Sequence, residues 1–193
     1  FTPFNFEITK IVRDTGNFIV VKVDNKRRRD AVPTLITDWW NYGGLTREVK
    51  LVETPTTFVN DYMIQLQRGS ADHVTGWVKL AGDKLNQKVT VRIPEAGVSI
   101  SFTTDASGLA TIDFSADLKL WSPENPKLYE VFVEAETDRV RDLIGFRSIE
   151  TRGTEILLNG KPIFLRGVCI HEEAPLRGGR AYSREDAVTL LSW

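Results

Sequence analysis

The sequence predicts a mainly β protein, and three observations carry that expectation. Between Thr57 and Ile149, apolar and polar residues alternate with a period of two in segment after segment. Turn chemistry separates these segments, at Arg68-Gly69-Ser70, Ala81-Gly82-Asp83, Pro94 to Gly97 and Asp105 to Gly108. Helical spacing is confined to a stretch near the end. About seven alternating segments at this spacing match an antiparallel sandwich, and an immunoglobulin-like β-sandwich fits. With Cys169 the single cysteine, such a sandwich has no inter-sheet disulfide. Core packing alone holds it, with Trp77 as the expected central residue.

The elements follow in order. Phe18-Ile19-Val20-Val21-Lys22-Val23 is a β-branched run between Gly16-Asn17 and Asp24-Asn25, which predicts a strand with a turn at each end. Val89, Val91 and Ile93 alternate with Lys88, Thr90 and Arg92, giving one buried and one wet face. The same period recurs in Val98, Ile100 and Phe102, in Ala110, Ile112 and Phe114, and in Val131, Val133 and Ala135. Ile156-Leu157-Leu158 and Ile163-Phe164-Leu165 flank Asn159-Gly160, the dipeptide that a type I′ hairpin turn favours. Arg166-Gly167-Val168-Cys169-Ile170 reads as a buried strand leading into His171-Glu172-Glu173. Ser183 then reads as a helix N-cap with the acidic Asp186 three positions on. Ala187, Val188, Leu190 and Leu191 supply that helix with an apolar stripe. Strand, loop and helix in succession is how a β/α unit starts. Residues before about 55 form a different sheet-rich segment, so the expected division is 1–55, 56–149 and 150–193.

Composition narrows the function classes. The 193 residues carry 25 Lys and Arg against 26 Asp and Glu, a formal net charge of −1. That balance removes the broad attraction a nucleic-acid or anionic-membrane binder needs. No apolar run approaches the ~20 residues of a membrane-spanning helix, and no membrane partner is expected. One cysteine and two histidines, His73 and His171, argue against a Cys-cluster zinc site and a His-rich metal centre. The chain begins at Phe1, its sole methionine is Met63, and its last helix has no stop signal before Trp193. These ends point to an excised piece of a longer protein, whose compartment they do not reveal.

Four separated motifs resemble glycoside hydrolase family 2, the family of β-galactosidases, β-glucuronidases and β-mannosidases. Phe1-Thr2-Pro3-Phe4 with Phe6-Glu7-Ile8-Thr9 is similar to late strands of that family's jelly-roll sugar-binding domain. Asp38-Trp39-Trp40-Asn41-Tyr42-Gly43-Gly44-Leu45 with Arg47 resembles the same domain's aromatic signature. Trp121-Ser122-Pro123-Glu124-Asn125-Pro126 with Leu128-Tyr129 looks like a late turn of its immunoglobulin-like domain. Gly145-Phe146-Arg147, Leu158-Asn159-Gly160-Lys161-Pro162, Arg166-Gly167-Val168 and His171-Glu172 resemble the opening of its TIM barrel. The resemblance thus implies an immunoglobulin-like β-sandwich flanked by the end of a jelly roll and the start of a TIM (β/α)8 barrel. It implies retaining hydrolysis of a terminal β-glycoside by two glutamates about 5–5.5 Å apart on barrel strands. Both would lie beyond Trp193. No catalytic residue is therefore assigned in this chain, nor any cofactor or metal ligand, although members of that family differ in binding ions near the position of Asp38. The implied partner is a carbohydrate, and a homo-oligomeric parent is compatible with the resemblance. Galactose, glucuronate and mannose are not distinguished.

Three residues are candidates for substrate binding. Asp38, flanked by Trp39 and Trp40, matches a family aspartate that projects into the pocket. A carboxylate accepts sugar hydroxyls while aromatic faces cover the apolar side of the ring. Outside the resemblance, a turn-capping Asp38 between core tryptophans explains the pattern as well. His171 would sit at the barrel mouth and donate a hydrogen bond to the sugar rather than act as a base; the plain alternative is a satisfied structural histidine. Glu172 is expected beside it, partnering His171 or Arg166. Cys169 and Ile170 depart from the family's usual Asn and basic or polar residue, so that wall of the pocket differs from the family's pattern. Arg177-Gly178-Gly179-Arg180 is similar to a loop of glucuronidase-like members, and its spacing is wrong for a phosphate cradle. Lys26-Arg27-Arg28-Arg29 reads as a solvated turn paired with nearby carboxylates, His73 as an exposed loop residue, and Cys169 as a small buried thiol. The competing function is a non-enzymatic β-sandwich module for adhesion or carbohydrate binding, which leaves the strand–His-Glu–loop–helix ending unexplained.

Overall fold

Alternating β-branched residues form strands only where a second strand accepts their hydrogen bonds, and the structure shows where that condition is met. The computed structural model describes residues 4–32, 34–37, 40–45, 47–174 and 176–192. They divide into two units, Val52–Arg166 in one, and Phe1–Leu51 with Gly167–Trp193 in the other.

The unit Val52–Arg166 is mainly antiparallel β. Its strands are β1 (Thr57–Leu66), β2 (His73–Gly82), β3 (Lys88–Ile93), β4 (Val98–Thr103), β5 (Leu109–Ser115), β6 (Tyr129–Glu134), β7 (Arg139–Ile144), β8 (Ile149–Arg152), β9 (Glu155–Leu158) and β10 (Lys161–Ile163). One sheet has the order β1-β2-β5, a second β4-β3-β6-β7, and a third β10-β9-β8. The first two share a core in which Val74, Val78, Leu80 and Ile112 meet Val89, Val91, Val131 and Val133. Burying each such side chain contributes about 1.5–3 kcal/mol, so the period of two read from the sequence is also the energetic basis of the unit.

Strand parity decides which residues enter that core. Even-numbered residues of β2 point inward, so Val74, Val78 and Leu80 are buried while Trp77 is half-exposed on the outer face. The expectation of a central Trp77 is corrected on that ground. Gly76 occupies the inward position between Val74 and Val78, where a Cβ would fall 1.8 Å from the Met63 carbonyl oxygen. The aromatic centre is instead Tyr129 against Phe146, edge-on at 6.0 Å, with the Tyr129 hydroxyl accepting the Lys119 N–H at 2.9 Å.

Polar side chains close the ends of the shared core. Thr104 and Gln87, both buried, exchange bonds at 2.9 and 2.8 Å, and the Gln87 amide oxygen accepts the Glu136 N–H at 2.8 Å. In β1 the pairing with β2 slips between Val59 and Asp61. The Val59 N–H exposed by that bulge donates to the Asp138 carboxylate at 2.9 Å. Asn159 and Gly160 both have positive φ, 51° and 75°, as the expected type I′ turn requires.

In the other unit, two expected strands do not form. Residues 18–23 and 166–170 are neither helical nor paired among the described residues. Phe18 is 86% and Val168 79% exposed. Strand propensity supplies no hydrogen bonds by itself, and a ladder forms only beside a second strand. Cys169, expected to be buried, is exposed for the same reason. The helix is present: α1 (Arg184–Leu191) starts at Ser183 with a reciprocal capping box to Asp186. Among the described residues no helix is long and apolar enough to cross a membrane.

Candidate functional site

The unit that holds both sequence-predicted site segments is organised by charge. Asp38 and Trp39 lie outside the described residues. Their neighbour Trp40 is exposed, and the segment after it is tied to the basic turn: the Asn25 amide donates to the Asn41 carbonyl at 3.2 Å, and the Asn41 amide returns a bond to the Asn25 carbonyl. That turn is closed by Asp24, which accepts the Lys26 N–H at 3.0 Å and Arg28 at 2.8 Å. The solvated, paired turn expected at 26–29 therefore also props the aromatic segment, a role the sequence did not signal.

On the other side, Gly178 and Gly179 take φ values of 71° and 86° and fold the chain back on itself. Glu173 and Arg180 bridge, the Ala181 N–H donates to the Glu172 carbonyl and the Ala174 N–H to the Gly179 carbonyl, both at 2.9 Å. This hairpin-like loop places Arg180 against Glu172, with Nε 2.9 Å and one terminal guanidinium nitrogen 2.5 Å from Glu172 Oε2. Arg47 approaches the opposite oxygen, Oε1, at 3.6 Å and donates to the Tyr182 carbonyl at 3.2 Å. Glu172 thus stands between two guanidiniums, Arg180 and Arg47. The signal was present in part: a Gly-Gly centre between charged flanks pairs residue 172 with residue 180, but nothing local points to Arg47. His171 is exposed, and its carbonyl accepts the Glu173 N–H at 2.7 Å.

The loop is anchored to α1. Arg177 grips Asp186 through two bonds, 3.2 Å to Oδ1 and 2.6 Å to Oδ2, and donates to the Arg180 carbonyl at 2.8 Å. Asp186 Oδ2 also accepts the N–H groups of Tyr182 and Ser183 at 3.0 and 3.2 Å. The Arg177 hydrogen bond, followed by these two backbone donors, holds the Asp186 carboxyl well below the usual carboxylate range. Arg177 also lies over the Tyr182 ring, 4.9 Å from its centroid.

His73 falls elsewhere: expected in a loop, it opens β2, with Nε2 3.1 Å from Asp113 and Nδ1 3.2 Å from the Ser115 hydroxyl. No group of three or more His, Cys, Asp or Glu is placed to hold a metal among the described residues.

The chain is mainly β, with an antiparallel double-sheet core in one unit and a charge-clamped loop in the other. The model of "Glycosyl hydrolases family 2" matches residues 57–147. A β-galactosidase of Arthrobacter sp. (strain B7) is 27% identical over 184 residues, 94% of this chain and 18% of that protein. The β-galactosidase large subunit of Latilactobacillus sakei is 31% identical over 200 residues, 96% of this chain and 31% of that protein. Among solved structures, apo β-glucuronidase 3 of Bacteroides uniformis superposes with a TM-score of 0.67 at 26% identity, covering 88% of this chain and 23% of that one. The match over residues 57–147 and these relatives support a fragment of glycoside hydrolase family 2. It spans 18% and 31% of the two curated relatives named here.

Proposed function

We propose that the chain is the non-catalytic upstream portion of a retaining β-glycosidase of the β-galactosidase or β-glucuronidase type. Residues 1–55 end a jelly-roll sugar-binding domain, 56–149 form an immunoglobulin-like sandwich, and 150–193 open a (β/α)8 barrel. The three-plus-four strand arrangement, with crossovers between sheets at β2–β3, β4–β5 and β5–β6, supports the sandwich assignment. The parent cleaves a terminal β-glycoside with a carboxylate pair located outside these residues.

The single observation that carries the reading is the double engagement of Arg47. It bonds the Tyr182 carbonyl, 135 residues away, and pairs with Glu172, so the segment that follows the Asp38 aromatic run meets the His171-Glu172 segment within one unit. In this reading Asp38 accepts sugar hydroxyls, His171 donates a hydrogen bond, and Glu172 lies in the same wall.

The test uses the 193-residue chain beside the full-length protein. The chain alone is expected to leave aryl β-glycosides intact while the longer protein hydrolyses them. In the longer protein Asp38→Ala lowers kcat/KM about tenfold to hundredfold, the loss of a hydrogen bond to a charged group. Turnover by the chain alone, or an Asp38→Ala enzyme with unchanged kcat/KM, overturns the assignment.

A further inference from the structure

We infer that Arg47 is a positioning residue of the sugar site: acting through Glu172, it fixes the loop carrying His171 against the segment that follows Asp38. The inference rests on the reading of Asp38 and His171 as sugar contacts and adds a residue to it. Three features of the geometry carry it.

Arg47 makes two contacts at once, the Tyr182 carbonyl at 3.2 Å and Glu172 Oε1 at 3.6 Å. These two residues stand on opposite arms of the loop, because the Ala181 N–H bonds the Glu172 carbonyl. A planar fork of donors can hold both arms in one relative position, which a point charge does less well. Second, Arg180 already occupies Glu172 Oε2 with two of its nitrogens, so the carboxylate cannot swing freely and Oε1 stays turned to Arg47. Third, the loop is anchored at its far end, since Arg177 joins the Arg180 carbonyl to the capping carboxylate of Asp186. His171 adjoins the residue held from both sides.

A pocket wall held this way is ordered before substrate arrives, and that ordering lowers the cost of binding. Removing Arg47 therefore weakens sugar binding without touching the carboxylates that break the bond. The signature is a raised KM at nearly constant kcat. Loss of folded enzyme does the reverse, lowering apparent kcat and leaving KM alone.

The experiment measures steady-state kinetics of the full-length protein on an aryl β-glycoside that it hydrolyses. Arg47→Met is expected to raise KM about tenfold with kcat within about threefold of the parent. Arg47→Lys, which keeps the charge but not the fork, is expected to restore only part of the loss. Glu172→Gln raises KM similarly, and the double variant is no worse than about tenfold, where independent sites multiply to about a hundredfold. A KM unchanged in Arg47→Met, or multiplicative effects in the double variant, overturns the inference. Asp38→Ala separates the two failures. If it lowers kcat/KM while Arg47→Met leaves KM unchanged, the inference alone falls; if it too is silent, the reading of the site falls and takes the inference with it.

Discussion

Asn159 combines a left-handed backbone with two side-chain bonds, accepting the Ser148 N–H and donating to the Trp121 carbonyl, each at 3.0 Å. Its turn therefore does more than connect β9 to β10: it fastens the hairpin to the segment after the core. Asn159→Ala loses both bonds and places an alanine at positive φ, an expected cost of about 2–3 kcal/mol. Asn159→Gly loses the bonds but accepts the backbone and costs roughly 1 kcal/mol less. Urea midpoints of the two variants decide this order. Tyr62 shows how one phenol reports the contact between sheets. Burial first, then its 2.8 Å bond to Asp142, pushes its hydroxyl up to about 12. A raised value in the folded state stabilises the fold fully below the ordinary value of 10.0, and this contribution is lost as pH rises through about 12. In an alkaline absorbance titration one of the four tyrosines is expected to ionise last, and Tyr62→Phe removes that late step.

Among elements, α1 shows how a local signal gains a distant role. Its capping box was readable from Ser183 and Asp186, because both bonds span three residues. The Arg177 grip on the same carboxylate was not, since it depends on how the loop returns. With the Asp186 carboxyl held below its ordinary value of 3.8, the stability it contributes is complete above that pH. It disappears as pH falls through the depressed folded value. Amide exchange at Tyr182 and Ser183 is therefore expected to stay protected at pH 5, to lose protection progressively below about pH 4, and to lose that acid dependence in Asp186→Asn. Parity in β2 teaches the complementary lesson. Trp77 and Val78 look equally suited to a core, but adjacent residues of a strand face opposite sides. The run Val74, Gly76, Val78, Leu80 holds the inner face.

At the scale of the whole molecule, burial is concentrated in Val52–Arg166. The flanking unit carries exposed apolar residues such as Phe18, Ile19, Val20 and Val168. Amides of Val78 and Val91 are expected to exchange at least about a hundredfold more slowly than those of residues 18–23 and 167–170. Equal protection in hydrogen-exchange mass spectrometry contradicts this contrast. The same division separates what was legible from what was not. Seven alternating segments, their glycine and proline turns, the Asn159-Gly160 hairpin and the Ser183 cap were determined by the sequence alone, because each depends on residues within a few positions of one another. Which face of β2 is buried, whether residues 18–23 and 166–170 find a partner strand, and that Glu172 pairs with Arg180 and Arg47 were decided by tertiary structure. Parity, ladder hydrogen bonds and ion pairs depend on what the folded chain brings alongside, and no local pattern encodes that neighbour.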